Sequence, residues 1–193
     1  MRPKISMEKQ MRFFIFVTLI VAALNVHAGA PEVIKLKDLG SAKTSKKEVL
    51  ARIFADQNKW SAYLAKIESG QDAWVKTWPE MRKVADGGAS EQLDIAMYKL
   101  VGVKATAVLK IIQKNWKTQA EAQEITKKVC GKAGEEIQEN SSLTSVQERA
   151  NVLSGIQLRQ KKINEVTDKG LSNLKANCLL SLQASESFWS KKE

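Results

Sequence analysis

The stretch SKKEVLARIFADQNKWSAYLAKIESG, residues 45–70, decides the fold class. It opens on a capping box, in which Ser45 can accept a hydrogen bond from the backbone of Glu48 while the Glu48 side chain reaches back. Apolar residues then recur at the three- and four-residue spacing of one helical face. Gly70 follows them, where a C-terminal cap is expected. The stretch therefore predicts one amphipathic helix ending at Gly70. Its apolar stripe comprises Val49, Leu50, Ile53, Phe54, Trp60, Tyr63, Leu64 and Ile67.

The segment after Gly70 predicts a second helix and a turn. Asp72 is expected to cap this helix, and Pro79 to kink or restart it, because proline lacks a backbone N–H. Asp86-Gly87-Gly88 is the clearest turn in the chain.

Three further helices are predicted before the first cysteine. Ser90 caps the third helix, which is expected to end near Gly102. The fourth lies around residues 108–116 and the fifth around 118–130. Short helix pairs between residues 72 and 116 would be compatible with a curved helical stack.

The last third of the chain predicts two long helices. We expect residues 131–143 to form a polar loop and a second capping box, Ser145 to Glu148, to open the next helix. A turn at residues 168–170 precedes the final helix. Glycine and proline are scarce and strand-like alternation is absent. We therefore predict an all-α, single compact domain of about six or seven helices over residues 45–193, after an irregular arm over residues 29–44.

The N-terminus reads as a secretory signal peptide. Residues 1–12 carry four basic side chains and one acid, and residues 13–26 form an apolar run. The run is shorter than the roughly 20 residues that span a bilayer as a helix, so a retained membrane anchor is the less favoured alternative. The sequence Val26-His27-Ala28 suits a signal peptidase, and we expect cleavage after Ala28. This predicts a periplasmic or secreted bacterial protein, with no membrane span after cleavage.

The net charge indicates a class of binding partner but does not identify one. The formal net charge is +10, and about +7 remains after residue 28. A basic surface favours anionic partners such as lipid headgroups, cell-wall polymers or an acidic protein. Nucleic acid is not expected, because there is no dense Lys/Arg run interleaved with aromatic residues.

The inventory of catalytic residues is small. The single histidine, His27, lies in the predicted signal, so histidine-dependent triads and zinc motifs are excluded from the mature chain. No cofactor or metal site is predicted. Cys130 and Cys178 are the only cysteines and most simply form a disulfide in an oxidising compartment. A reactive thiol pair is the alternative, although it would favour a CxxC spacing.

Two kinds of catalytic constellation occur at helical spacing. Ser172 and Lys175 fit the SxxK pattern, but the elements that accompany it in serine enzymes are missing. Glu91 with Asp94, and Glu135 with Glu139, could share a helix face as an acid–base pair on a glycan. Carboxylate pairs of this kind also arise by chance on solvated helices, so no catalytic residue is assigned.

Five tryptophans suggest either core packing or a binding surface. Core packing is the commoner explanation, because tryptophan buries a large apolar area. If a binding surface exists, we expect Trp74 and Trp78, one helical turn apart, to form it beside Asp86, Gly87 and Gly88.

The order of several short motifs resembles a family of short exported bacterial proteins of unassigned function. The motifs are SGQDAW, DGGASEQL at Asp86–Leu93, AVLKII at Ala107–Ile112, a cysteine about 18 residues later and a late NCL. This resemblance implies an all-helical periplasmic domain with paired cysteines, and no functional residue is carried over from it. The segment after Cys130, GKAGEEI, departs from the more apolar, proline-containing stretch of that family.

These observations favour a non-enzymatic protein-interaction module in the periplasm. An immunity protein or an inhibitor of a cell-wall-directed toxin or hydrolase is one concrete version. The alternatives are a carboxylate-dependent cell-wall glycan hydrolase and an electrostatic binder of membrane or cell-wall polymer.

Overall fold

The structure, a computed structural model, describes residues 35–39, 45–133 and 145–191. These residues are helical or lie in short connections, with no strand among them. The helices are α1 (Lys46–Phe54), α2 (Gln57–Glu68), α3 (Asp72–Val75), α4 (Trp78–Val84), α5 (Gly87–Asn115), α6 (Gln119–Cys130), α7 (Ser145–Asn164) and α8 (Ser172–Lys191). Since α3 is a single turn, seven longer helices remain in the described part of the chain, and the predicted all-α class is confirmed. The predicted signal peptide, most of the predicted arm, and the pair Glu135 and Glu139 lie outside the described residues.

Residues 45–70 fold as two helices, so the prediction of one continuous helix was wrong. α1 ends at Phe54, and Asp56 has an extended backbone with φ −105° and ψ 100°. The Asp56 carboxylate accepts hydrogen bonds from two backbone N–H groups at the start of α2, each at 3.2 Å. Those N–H groups lack a helical acceptor, and aspartate is among the residues that satisfy them best. Ser45 precedes α1 as predicted, but its side chain makes no capping hydrogen bond.

The two short helices after Gly70, α3 and α4, follow the prediction in part. Gly70 ends α2 with φ 69°, the left-handed conformation that glycine adopts without penalty. Gln71 is the N-cap of α3 and Asp72 is its first residue, so the predicted cap is displaced by one position. Pro79 lies in the first turn of α4, where its missing N–H costs no hydrogen bond. The restart expected at Pro79 is confirmed.

The two helices predicted over residues 90–116 are both present, joined across a kink within the span labelled α5. Its N-cap is Asp86 rather than Ser90. The first helix of α5 ends at a kink at Lys104, with φ −131° and ψ 49°, which agrees with the end predicted near Gly102, and the second continues to Asn115. A side chain at Gly102 would lie 3.6–3.7 Å from Arg159 and Leu158 of α7. These are ordinary van der Waals distances, so Gly102 lies in normal contact with α7, two residues before the kink.

The helices from α5 onward form a four-helix bundle. α5 packs against α6 and α7, and α8 packs against the same two helices on the other side. The predicted disulfide is confirmed: Cys130 at the end of α6 is bonded to Cys178 in α8, with a Cα–Cα distance of 5.3 Å. The earlier helices cover the first part of α5, against which α2 and α4 pack directly. Because α5 contacts three or more other helices, a curved stack of helix pairs does not describe this arrangement.

A capping box that the sequence reading missed starts α6. The Thr118 hydroxyl accepts a hydrogen bond from the Glu121 backbone at 3.2 Å, and the Glu121 carboxylate accepts one from the Thr118 backbone at 3.1 Å. The box fixes where α6 begins. α6 in turn forms one wall of a cleft described below.

Candidate functional site

The two tryptophans proposed for a binding surface lie in the core. Trp74 is 6% exposed and Trp78 is fully buried. The Trp78 indole donates a hydrogen bond to the Leu93 carbonyl at 3.1 Å. These rings therefore serve core packing, which corrects the candidate surface: of its members, only Asp86, Gly87 and Gly88 are exposed.

The lysine of the SxxK pair, Lys175, is bonded to backbone carbonyls. The Lys175 amine donates to the carbonyls of Asn164 and Val166, each at 2.9 Å. Asn164 is the last residue of α7, where the helical carbonyls lack intrahelical donors, and Val166 lies two residues beyond it. Lys175 thus caps α7, and these two hydrogen bonds give its amine a structural role.

The acid pair Glu91 and Asp94 lines a cleft of about 500 Å³ between α4, α5 and the end of α6. The Arg82 guanidinium meets the Asp94 carboxylate with two hydrogen bonds, at 2.7 and 3.0 Å. The Lys132 amine lies 3.1 Å from the Glu91 carboxylate. We call this the paired cleft, because both of its carboxylates are neutralised by a cation.

Asp94 is almost inaccessible in the paired cleft. Its side chain is 3% exposed and that of Arg82 is 13% exposed. Burial raises the pKa of Asp94, and the hydrogen bond and charge of Arg82 act in the opposite direction. A two-point bond between a buried carboxylate and a guanidinium mainly fixes the position of two helices. A general acid needs contact with substrate, which this arrangement does not offer.

A second cleft, with a volume of about 430 Å³, lies between α3 and the region of α5 around and after its kink. Its floor is apolar and its rim carries four lysines and one aspartate. We call it the lysine groove. It is lined by Asp72, Val75, Lys76, Leu100, Lys104, Ala107, Lys110, Ile111, Lys114 and Asn115.

Lys104 closes one end of the lysine groove. Its amine donates to the Gly70 carbonyl at 2.7 Å and to the Asp72 carboxylate at 3.2 Å. A side chain at Gly70 would come within 3.0 Å of Leu100 and 3.2 Å of Lys104. Glycine at this position therefore lets the end of α2 approach α5, and Lys104 ties the two together.

The other lysines of the groove are less engaged. Lys110 pairs with Asp168 at 3.2 Å, and both side chains are well exposed. Within residues 35–39, 45–133 and 145–191, neither Lys76 nor Lys114 has an acidic partner. The Asn115 side-chain amide donates a hydrogen bond to the Ile111 carbonyl at 2.8 Å. Two cations on different walls of the groove are thus available to a ligand.

Two further features are absent from the described ranges. No three side chains of the metal-binding types His, Cys, Asp and Glu come together there. None of the helices that the structure describes combines the length and the apolar character needed to cross a membrane.

The lysine groove was missed in the sequence because its walls come from distant segments. Lys110 and Lys114 are four residues apart, the spacing that places two side chains on one helical face. That signal was present but resembles an ordinary solvated face. Lys76 lines the groove because the hydrogen bonds of Lys104 to Gly70 and Asp72 hold the start of α3 against α5. No local sequence pattern indicates these long-range bonds.

Comparison with protein-family models, curated proteins and solved structures finds no match to this chain, so the resemblance to short exported bacterial proteins stays a prediction.

Proposed function

We propose that the protein is a non-enzymatic binding protein that acts outside the cytoplasm and holds an anionic ligand in the lysine groove. One observation carries this proposal. Lys76 and Lys114 have no acidic partner among the described residues, although they border a groove with an apolar floor. Cations gathered in a cleft with low-dielectric walls attract anions more strongly than cations spread over a surface.

Binding is favoured over catalysis because the candidate catalytic groups have structural partners. Arg82 holds Asp94, Lys132 pairs with Glu91, and Lys175 caps α7. A glycan hydrolase needs one accessible carboxyl with a raised pKa and a second carboxylate close to the bond that breaks. The paired cleft supplies one accessible carboxylate, Glu91, which is paired with Lys132, while its neighbour Asp94 is buried and bonded to Arg82, so the hydrolase is the weaker alternative.

Action outside the cytoplasm is supported by the disulfide and by the predicted signal peptide. Disulfides persist in oxidising compartments and are rare in the cytosol. An acidic surface of a toxin or hydrolase is one anionic partner, as the immunity or inhibitor version requires. A stable protein interface buries about 800 Å² on each partner, whereas the groove has the volume of a small-molecule pocket, about 430 Å³. The groove is therefore better matched to a small ligand or to one protruding group of a larger partner.

Capture from a bacterial periplasmic extract tests this proposal. The immobilised chain is compared with a K76Q/K114Q variant, in which two lysines of the groove lose their charge. The matched control is K47Q/K161Q, which removes the same charge from two exposed lysines outside the groove. Bound material, both protein and small molecule, is eluted with moderate salt and identified by mass spectrometry, since exposed charge interactions weaken with ionic strength.

We expect anionic material that the wild type and the control retain and the groove variant loses. Equal retention by all three proteins would overturn the groove as the binding site. Equal loss in both variants would reduce the interaction to unspecific charge attraction. Turnover of peptidoglycan that is lost in E91Q would overturn the non-enzymatic proposal in favour of the hydrolase.

A further inference from the structure

The lysine groove combines two surfaces that a simple anion would not use together. Val75 and Leu100 are buried beneath it, and Ala107 and Ile111 are partly exposed along it. An inorganic anion would contact the lysines and leave this floor wet. A floor of aliphatic side chains is covered only by a ligand that has an apolar body of its own.

The volume of the groove limits the size of that ligand. Pockets for small molecules measure roughly 300–1,000 Å³, and the lysine groove has about 430 Å³. It lies at the small end of this range, which suits one aliphatic chain rather than the two chains of a membrane phospholipid.

The donors around the groove indicate the acidic group. No arginine lines the groove, the Asn115 amide is bonded to the Ile111 carbonyl, and Lys104 is tied to Gly70 and Asp72. Lys110 pairs with Asp168, so Lys76 and Lys114 are the lining cations without an acidic partner among the described residues. One of these amines can meet each oxygen of a single carboxylate. The flexible four-carbon stems of lysine let both amines reach a shared group.

We infer that the lysine groove binds a free single-chain aliphatic carboxylate. Its carboxylate pairs with Lys76 and Lys114, and its chain lies along Val75, Ala107 and Ile111. The inference rests on the proposed function, because it specifies the ligand of the same groove. It adds that the chain, as well as the charge, contributes to the affinity.

Isothermal titration calorimetry of the purified, disulfide-bonded chain tests this with three probes below their micelle concentrations. Sodium decanoate has both the charge and the chain, sodium acetate has the charge alone, and decyl maltoside has the chain with an uncharged head. We expect decanoate to bind and the other two probes to bind at least tenfold more weakly. Octanoate should bind about sixteenfold more weakly than decanoate, since it lacks two methylenes and each buried methylene strengthens binding about fourfold.

Two variants separate the charge from the floor. K76Q/K114Q should lower the decanoate affinity at least tenfold and flatten its dependence on salt, while K47Q/K161Q should keep it within twofold. A107Q places a polar side chain on the floor at a partly exposed helical position and should weaken decanoate without affecting acetate. Circular dichroism verifies that each variant is folded.

Three results would overturn the inference. The first is acetate binding as tightly as decanoate, and the second is decyl maltoside binding as tightly as decanoate. The third is the absence of decanoate binding to the folded wild-type chain. The proposed function is judged separately, by the groove-dependent capture of anionic material. Capture that depends on the groove, combined with no decanoate binding, would remove the carboxylate inference alone. Loss of groove-dependent capture would remove the proposed function itself.

Discussion

The paired cleft and the lysine groove both border α5, and they use similar residue types in opposite ways. In the paired cleft, Asp94 and Arg82 are nearly inaccessible and bonded at two points. In the lysine groove, Lys76 and Lys114 lie exposed beside an apolar floor, without acidic partners among the described residues. Charge count alone would not separate the two clefts. Burial and pairing do, because a paired and buried charge maintains the fold whereas an unpaired and accessible one can meet a ligand.

The largest effect is expected from the disulfide beside the paired cleft. Cys130 adjoins Gly131 and Lys132 in the cleft wall and closes a loop of 48 residues with Cys178. Replacing both cysteines by serine should lower the free energy of unfolding by about 4 kcal/mol, since the unfolded chain gains conformational freedom. Urea denaturation of both proteins measures this loss.

Hydrogen exchange shows whether the disulfide also supports the cleft locally. Amides of residues 127–132 should gain exchange rate in the double serine variant, while those of residues 72–76 at the lysine groove should change little. Equal acceleration in both segments would mean that the disulfide acts through the unfolded chain alone.

A sharper test of the comparison removes one acid from each cleft. Asp94→Ala leaves the Arg82 guanidinium in a largely buried site, and breaking such a pair costs about 3 kcal/mol or more. Asp72→Ala removes an exposed partner of Lys104, and exposed pairs contribute at most about 1 kcal/mol. Thermal and urea unfolding of both variants gives the difference. Equal losses would contradict the distinction between a structural cleft and an accessible groove.

The two glycines with positive φ offer a further contrast between the clefts. Gly70, at the lysine groove, has φ 69° and would place a side chain against Leu100 and Lys104. Gly87, at the paired cleft, has φ 43° and open space around it. The left-handed conformation costs an alanine about 1–2 kcal/mol at either position. Gly70→Ala should therefore destabilise more than Gly87→Ala in urea unfolding, and the reverse order would show that the close approach at Gly70 relaxes without cost.

The smallest effect is expected for the rim of the lysine groove. K76Q/K114Q removes two exposed charges of the same sign from a basic protein and should change the free energy of unfolding by no more than about 0.5 kcal/mol. A small gain is the expected direction, because like charges repel one another. Calorimetry of this variant without ligand checks it, and a loss of 2 kcal/mol would assign these lysines a structural role.

The helical class was readable from the sequence because periodicity reports burial of one helix face. The cap at Gly70, the restart at Pro79 and the disulfide follow from local chemistry, and these predictions are confirmed. The break at Asp56 was not readable, since apolar spacing continues across it. The helix end predicted near Gly102 agrees with the kink at Lys104, although the sequence did not show that the second helix would follow it without a loop.

The candidate site was readable only in pieces. Glu91 and Asp94 do line one cleft, but their cationic partners come from α4 and the end of α6 and had no signal at helical spacing. Trp74 and Trp78 gave a strong compositional signal that reflects core packing. The lysine groove combines residues about 40 positions apart, so it becomes visible only when α3 and α5 are placed side by side.

The kinked helix α5 packs against helices from both ends of the described fold. α2 and α4 pack against it from the earlier segment, and α6 and α7 pack against it in the bundle. Neither set of helices keeps a complete core if α5 melts, so heating should produce a single transition with equal calorimetric and van't Hoff enthalpies. A ligand that binds only the native groove then stabilises every helix at once. Occupancy of one small site on α5 would be detectable as a rise in the melting temperature of the whole domain.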